Sequence, residues 1–151
     1  NAVITVEKLP SLYVSTRLMR PLFQNLIANA IKFSKKNTPP VIRIHSEVSA
    51  TTAARNGVEG NKYCRIFVED NGIGFDPKYA EDIFAVFKRL HSYHEFEGTG
   101  VGLSICKKIV EKHHGFIRAE SNPGVGSMFI VGLSAKQQVE LLPEQQMKLG
   151  N

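Results

Sequence analysis

The stretch Val68-Glu-Asp-Asn-Gly-Ile-Gly-Phe-Asp76 constrains this chain more than any other. The run before it, Tyr63 to Val68, reads as a strand and delivers Asp70 to the edge of a sheet. Gly72 and Gly74 then turn the backbone away, and without a Cβ they let a flat ligand lie close to the main chain. An ionised carboxylate only accepts hydrogen bonds. Asp70 therefore suits a ligand edge that presents an NH2 group, such as the adenine amino group, and repels the carbonyl oxygen that guanine carries there. Taken alone, the stretch reads first as a strand ending in an ordinary Asp-Asn-Gly turn. The rest of the chain decides between the two.

A chain of 151 residues with 42% hydrophobic composition fits one compact domain with its own core. No apolar run reaches the roughly 18 residues of a membrane span, and no signal peptide is visible. The absence of an initial Met points to a piece of something longer. Cys64 and Cys106 sit in apolar surroundings without metal-type spacing, so they are expected as small core residues in a reducing compartment. The net charge of +5 is moderate, and the basic residues do not cluster with interleaved aromatics as in a nucleic-acid binder. A nucleotide triphosphate or an acidic partner explains it as well.

Periodicity predicts a short edge strand over Ala2–Val6, and a helix capped at Ser15 or Thr16 running to about Lys36. Strands are expected at Val41–Val48 and Tyr63–Val68, paired antiparallel across a loose polar loop, Ser49–Asn61. Pro77–Leu90 reads as a short broken helix, and Thr99–His114 as a long helix stopped by Gly115. Phe116–Glu120 and Ser127–Leu133 form a final hairpin through Asn122-Pro-Gly-Val-Gly126. The tail from Lys136 is Gln-rich. Domain boundaries are thus placed at 1–135 for the folded unit and 136–151 for a tail or linker. About five strands and about three helices in mixed order imply an α+β fold, a two-layer sandwich with a mixed sheet covered on one face.

On the first helix, Asn25, Asn29 and Lys32 fall in one narrow stripe at the border of the apolar face, while Phe23, Leu26, Ala30 and Phe33 point inward. Two amides and an ammonium suit a metal–phosphate ligand. Mg2+ takes oxygen ligands and keeps much of its shell as water and phosphate, so one amide oxygen suffices; lysine serves phosphate as a point charge. An ordinary amphipathic helix would also place polar residues there. The wheel puts Arg20 on the core side, and Pro21 either kinks the helix or marks its real start.

Gly98-Thr-Gly-Val-Gly-Leu103 opens the last helix, where bare backbone amides form an anion site. It lacks the Lys-Ser/Thr pair of a Walker A loop, and no strand precedes it as in a dinucleotide fingerprint. Flanking glycines allow residues 88–97 to act as a lid anchored by Phe84 and Phe87, from which Lys88 and Arg89 swing onto terminal phosphates. A flexible surface loop is the plain alternative. His91 and His94 lack a third metal ligand. His113 and His114 lie in the last helical turn, where cations favour the dipole, and read as structural. Glu69 points to the opposite face from Asp70, so the two are not an acid/base pair.

With these parts in order, Val3 to Leu133 resembles the catalytic and ATP-binding domain of sensor histidine kinases, in the GHKL ATPase superfamily, and most resembles the phytochrome-like and PAS-linked kinases. Leu22–Phe33 is similar to its N box, Asp70–Gly74 to its first glycine box, Ile83–Leu90 to its F box, Gly98–Leu103 to its second glycine box and Gly124–Ser127 to the glycine motif of its last hairpin. The resemblance implies the Bergerat sandwich and, as cofactors, ATP and Mg2+. It implies that Asn29 coordinates Mg2+ with Asn25 in support, that Lys32 contacts phosphate, and that Phe33 lines the adenine pocket. Asp70 would bind the adenine amino group directly and through water, with Gly72 and Gly74 allowing close approach. Arg89 would meet the γ-phosphate; Gly98, Thr99, Gly100, Val101, Gly102 and Leu103 would wrap the phosphates; Gly126 and Ser127 would lie near the base. Asn29, Lys32 and Arg89 would be the catalytic set.

Hydrolases of the superfamily carry a glutamate one turn before the metal-binding Asn, as a general base must be a carboxylate or similar. Asn25 stands at that position and cannot take a proton. The resemblance therefore implies a domain that presents ATP to a histidine on a separate dimerisation domain, in a homodimeric, cytoplasmic or membrane-anchored parent that signals to a response regulator receiver domain. None of the five His here lies in a His-Glu-Leu-Arg type motif, so the acceptor is expected elsewhere. The alternatives are a nucleotide-binding regulatory module without catalysis, a GHKL-type ATPase, and an adaptor for acidic partners or nucleic acid.

Overall fold

The structure, a computed structural model, describes residues 1–50, 62–86 and 100–135. In chain order these give β1 (Val3–Val6), α1 (Thr16–Lys32), β2 (Val41–Ala50), β3 (Lys62–Asp70), α2 (Gly102–Lys112), β4 (Phe116–Asn122) and β5 (Gly126–Ser134). The strands form one five-stranded sheet in the order β1-β2-β3-β5-β4, with β1 parallel to β2 and every other pair antiparallel. The α+β expectation holds, with a mixed sheet and helices on one face. The helix number is a correction: the described residues hold two α-helices, and Pro77–Tyr79 and Asp82–Phe84 are single 3-10 turns. Pro77 and the Asp76 carboxylate, which accepts from the Lys78 N–H at 3.0 Å, start the first turn. Ala85 is already extended, which stops the second. Ile83 and Phe84 are buried, Phe84 edge-on to Phe129 at 6.3 Å. Among the described residues no helix is long and apolar enough to cross a membrane.

Side chains alternate across the sheet. On the helix-covered face the rungs are Ile44–Val68–Phe129–Ala119, then Ile66–Val131–Ile117, then Cys64–Leu133. Leu22 and Leu26 of α1 and Cys106, Ile109 and Val110 of α2 close over them. Both cysteines are free and buried, as expected of core residues. Burial raises both thiols, Cys106 to about 12, so neither is a reactive thiolate. The uncovered face carries polar pairs, with the Arg65 Nε buried and without a partner among the described residues. His45 stacks on Phe67 at 4.7 Å and reaches Glu69 at 2.8 Å, Arg43 pairs with Glu7 and Glu69, and Arg65 pairs with Glu47. Phe116 lies across Gly132, where a Cβ would fall 2.2 Å from the ring. Phe67, under the stacked His45 ring and the Arg65 guanidinium, and Ile130 are buried, at 7% and 8% exposure, on the face without helices. The whole of β1 remains exposed.

The helix ends differ from the periodicity reading for local reasons. Ser15 occupies the N-cap of α1, but its hydroxyl makes no capping bond. Its own N–H is taken by Nε2 of buried His113 at 3.2 Å, while Nδ1 of that ring lies 2.8 Å from the Ile109 carbonyl. An imidazole that accepts at Nε2 and donates at Nδ1 is neutral. His113 is therefore a neutral bridge between the start of α1 and the end of α2, not a cation on a helix dipole. Helix α1 runs through Pro21, so its start is not there, and Arg20 is exposed. It ends at Lys32, short of Lys36, and the Phe33 carbonyl receives the Ile73 N–H at 2.9 Å. Helix α2 begins at Gly102 because Gly100 takes φ +73°, outside the helical region.

The stop of α2 is a Schellman arrangement: Gly115 N–H to Val110 carbonyl at 2.8 Å and His114 N–H to Glu111 carbonyl at 3.0 Å. Its left-handed residue is His114, at φ 54°, rather than Gly115. Gly115 is needed for space, since a Cβ there would fall 2.1 Å from the Gly132 carbonyl oxygen. Two outcomes follow. Exposed His114→Gly should stabilise the chain by about 0.5–1 kcal/mol in denaturant titration, by relieving a left-handed Cβ. His113→Phe keeps the ring but strands the Ser15 N–H, and should cost about 1–3 kcal/mol in the same assay.

Candidate functional site

The site begins where β3 ends. Ile42, Asp70, Ser127 and Ser121 form the last rung of the sheet on the helix-covered face. The neighbouring rung is wholly apolar, so this one marks a sharp change of chemistry. Oδ1 of Asp70 accepts the Gly72 N–H at 2.8 Å and the Ser127 N–H at 3.3 Å. Oδ2 has no partner among the described residues, which leaves one carboxylate oxygen to accept from a ligand. Burial raises the Asp70 carboxyl above its ordinary range, and the two N–H bonds pull the other way.

Helix α1 is tied to this rung. The bond from Ile73 to the Phe33 carbonyl fixes the helix end to the glycine turn. Phe33, the C-cap, and Lys32, the last helical residue, therefore flank Asp70's loop, with the Lys32 Nζ 4.8 Å from the Phe33 ring centroid. One turn and two turns back, Asn29 and Asn25 are partly buried on the same helix. The Asn25 amide oxygen is turned to the first turn of α2, where a Cβ on Gly102 would stand 3.1 Å from it. Among the described residues that first turn has no side-chain cap and no acidic residue, which leaves its leading amides open to an anion there. Val101 is the N-cap, Gly100 precedes it in a left-handed conformation, and Leu103 packs against the core. The candidates thus gather between the end of β3, the second half of α1 and the start of α2.

The glycines of the turn also make room for the protein itself. The side of Gly72 that a Cβ would take faces the Phe33 carbonyl oxygen, 2.5 Å away, and that of Gly74, at φ +63°, faces the Asn122 carbonyl, 2.1 Å away. Gly126 meets the Asp70 carbonyl at 2.0 Å in the same way. These absent side chains make room for the protein's own backbone, locking the turn between α1 and the β4–β5 hairpin. Arg89, Gly98 and Thr99, with Phe87, Lys88, His91 and His94, lie outside the described residues.

A hard cation fits the donor set in one respect. No cluster of three His, Cys, Asp or Glu exists among the described residues, which argues against a protein-only cage. The Asn29 amide makes no hydrogen bond there and is open to contribute one oxygen, the mode Mg2+ tolerates beside phosphate and water. Two residues escaped the sequence reading. Asn71 accepts the Val41 N–H at 2.8 Å and donates to the Pro39 carbonyl at 3.2 Å, pinning the glycine turn to the start of β2. Ser121 bonds to three groups at the rung; only its place opposite Ser127 in the hairpin hinted at it.

Residues 14–137 match the family described as histidine kinase-, DNA gyrase B- and HSP90-like ATPases. The phytochrome-like protein Cph1 of Synechocystis sp. is 43% identical over 130 residues, covering 85% of this chain and 16% of that protein. Cyanobacterial phytochrome A of Nostoc sp. is 44% identical over 130 residues, covering 85% of this chain and 15% of that one. The chain therefore spans about a sixth of the length of these curated relatives. Among solved structures, the nucleotide-free catalytic domain of histidine kinase ThkA is similar with a TM-score of 0.65 and 25% identity, over 89% of this chain and 80% of that one. The chain belongs to the histidine kinase-, DNA gyrase B- and HSP90-like ATPase family, as the ATP-binding catalytic domain of a sensor histidine kinase, and is similar to those of phytochrome-like proteins.

Proposed function

We propose that this domain, residues 1–135, binds ATP with Mg2+ and presents the γ-phosphate to a histidine on a separate dimerisation domain of its parent. The parent would be a homodimer that passes phosphate to a receiver domain. The observation that carries this reading is the rung at the end of β3, where Asp70 keeps one open acceptor oxygen beside α1 and the uncapped start of α2.

The adenine amino group would donate to Asp70, with Phe33 along the base and Ser127 and Gly126 at its edge. The phosphates would then run toward the α2 amides and Gly100 to Leu103, within reach of Lys32. Arg89, Gly98 and Thr99 belong to the same proposal on the family resemblance. Mg2+ held by Asn29 would supply charge neutralisation on the phosphates. Positioning and electrostatics are what the chain itself provides. Asn25 supports a transferase over a hydrolase, because its amide cannot deprotonate water and is turned instead to Gly102.

Three measurements bear on this. Incubated with ATP, Mg2+ and the histidine-bearing dimerisation domain of a similar sensor kinase, the chain should yield acid-labile phosphohistidine; bound ATP without transfer to any such domain would reduce it to a nucleotide-binding module. Asp70→Asn should weaken ATP binding on the order of 10- to 100-fold, since a bond to a charged acceptor is lost. The same change should raise the melting temperature of the ligand-free chain at neutral pH. The folded-state pKa of Asp70 lies above its unfolded value, so its ionised form opposes folding, while Asn keeps an oxygen for both N–H groups. The gain should shrink as pH falls through the raised folded-state pKa and vanish well below the unfolded value of about 3.9, where Asp70 is protonated in both states. An Asn variant less stable than wild type at pH 7 would contradict this assignment of the charge.

A further inference from the structure

Ser121 is buried at 7% exposure on β4, in register with Ser127 and on the same rung as Asp70. Its hydroxyl oxygen lies 2.9 Å from the Phe75 N–H, 2.8 Å from the Gly126 carbonyl oxygen and 2.9 Å from the Ser127 hydroxyl. Proton counting fixes the direction of every bond. A serine hydroxyl has one proton and two lone pairs. The Gly126 carbonyl can only accept, so it takes the Ser121 proton. The Phe75 N–H can only donate, so it fills one lone pair. The second lone pair then receives the Ser127 hydroxyl, whose proton is committed inward. Ser127 is left with lone pairs alone to offer a ligand, beside the open Oδ2 of Asp70.

We propose that Ser121 is a positioning residue that sets the hydrogen-bond polarity of the base-reading edge, turning Ser127 into an acceptor so that the rung admits an amino group and rejects a carbonyl. It does so without touching the nucleotide. The proposal rests on the reading of Asp70 and Ser127 as the base-reading pair. Without Ser121 the Ser127 hydroxyl is free to rotate and donate, which removes the Ser127 share of the penalty on a 6-oxo purine and leaves that of Asp70.

The test is the affinity of the chain for ATP and for inosine triphosphate, by calorimetry, with melting temperatures recorded alongside. In Ser121→Ala the preference for ATP should fall about 5- to 10-fold, the worth of one neutral hydrogen bond, with binding of inosine triphosphate held or strengthened. In a Ser127→Ala background the same substitution should leave the ratio unchanged. A folded Ser121→Ala with the wild-type ratio, or with both nucleotides weakened equally, overturns the proposal and leaves Ser121 a structural residue. Wild-type chain without a preference for ATP, or Asp70→Asn with the preference intact, overturns the reading of the rung itself, and is distinguishable because it needs no change at Ser121. Should Ser121→Ala fail to fold, Ser121→Cys decides in its place, since a thiol keeps the volume and gives up most of the hydrogen bonding.

Discussion

A single carboxylate oxygen, Oδ1 of Asp70, holds the N–H groups of two segments far apart in sequence, Gly72 in the turn after β3 and Ser127 in the final hairpin. Around it the chain accepts a desolvated charge that opposes folding, because the other oxygen must stay open. Everything nearby serves that oxygen's position. The turn is clamped to the end of α1 through Phe33, to β2 through Asn71 and to the hairpin through Gly74 and Ser121. A polar rung at the end of an otherwise apolar ladder is stable only with each of its groups assigned a partner or a ligand.

This explains why glycine recurs at the site. The residues whose spacing suggested room for a nucleotide are first required by the protein's own packing: three carbonyl oxygens occupy the volumes that Cβ atoms of Gly72, Gly74 and Gly126 would claim. Binding surface and scaffold are thus one object here. Substitution at these glycines moves the carboxylate before it obstructs any ligand.

The strands were legible because their alternation is dictated by burial on one face, and their pairing followed from the short connection in the hairpin. Asp70 and the stripe Asn25, Asn29 and Lys32 were legible because each combines a chemistry-bearing side chain with a periodic position. Helix ends were less so. The stop of α1 depends on Ile73, beyond the whole of β2 and β3, and the start of α1 depends on the ring of His113, contacts that no local window contains. Pro77–Leu90 carries apolar residues at helical spacing, but Pro77 and the extended Ala85 limit its described part to two short turns. Ser121 was invisible for a further reason. A serine in a strand reads as a solvated position, and only the register across three strands reveals that it is enclosed by polar partners.

The edge strand β1 carries a consequence of another kind. Val3, Ile4 and Val6 are 54%, 45% and 57% exposed, and among the described residues one side of the strand has no neighbour in the sheet. An apolar open edge is a template for association between chains. Its length of four residues limits the ladder that another strand can build on it, and hence the strength of any such pairing. A second chain paired on so short an edge would be held by few ladder bonds, a matter of colloidal behaviour rather than of folding.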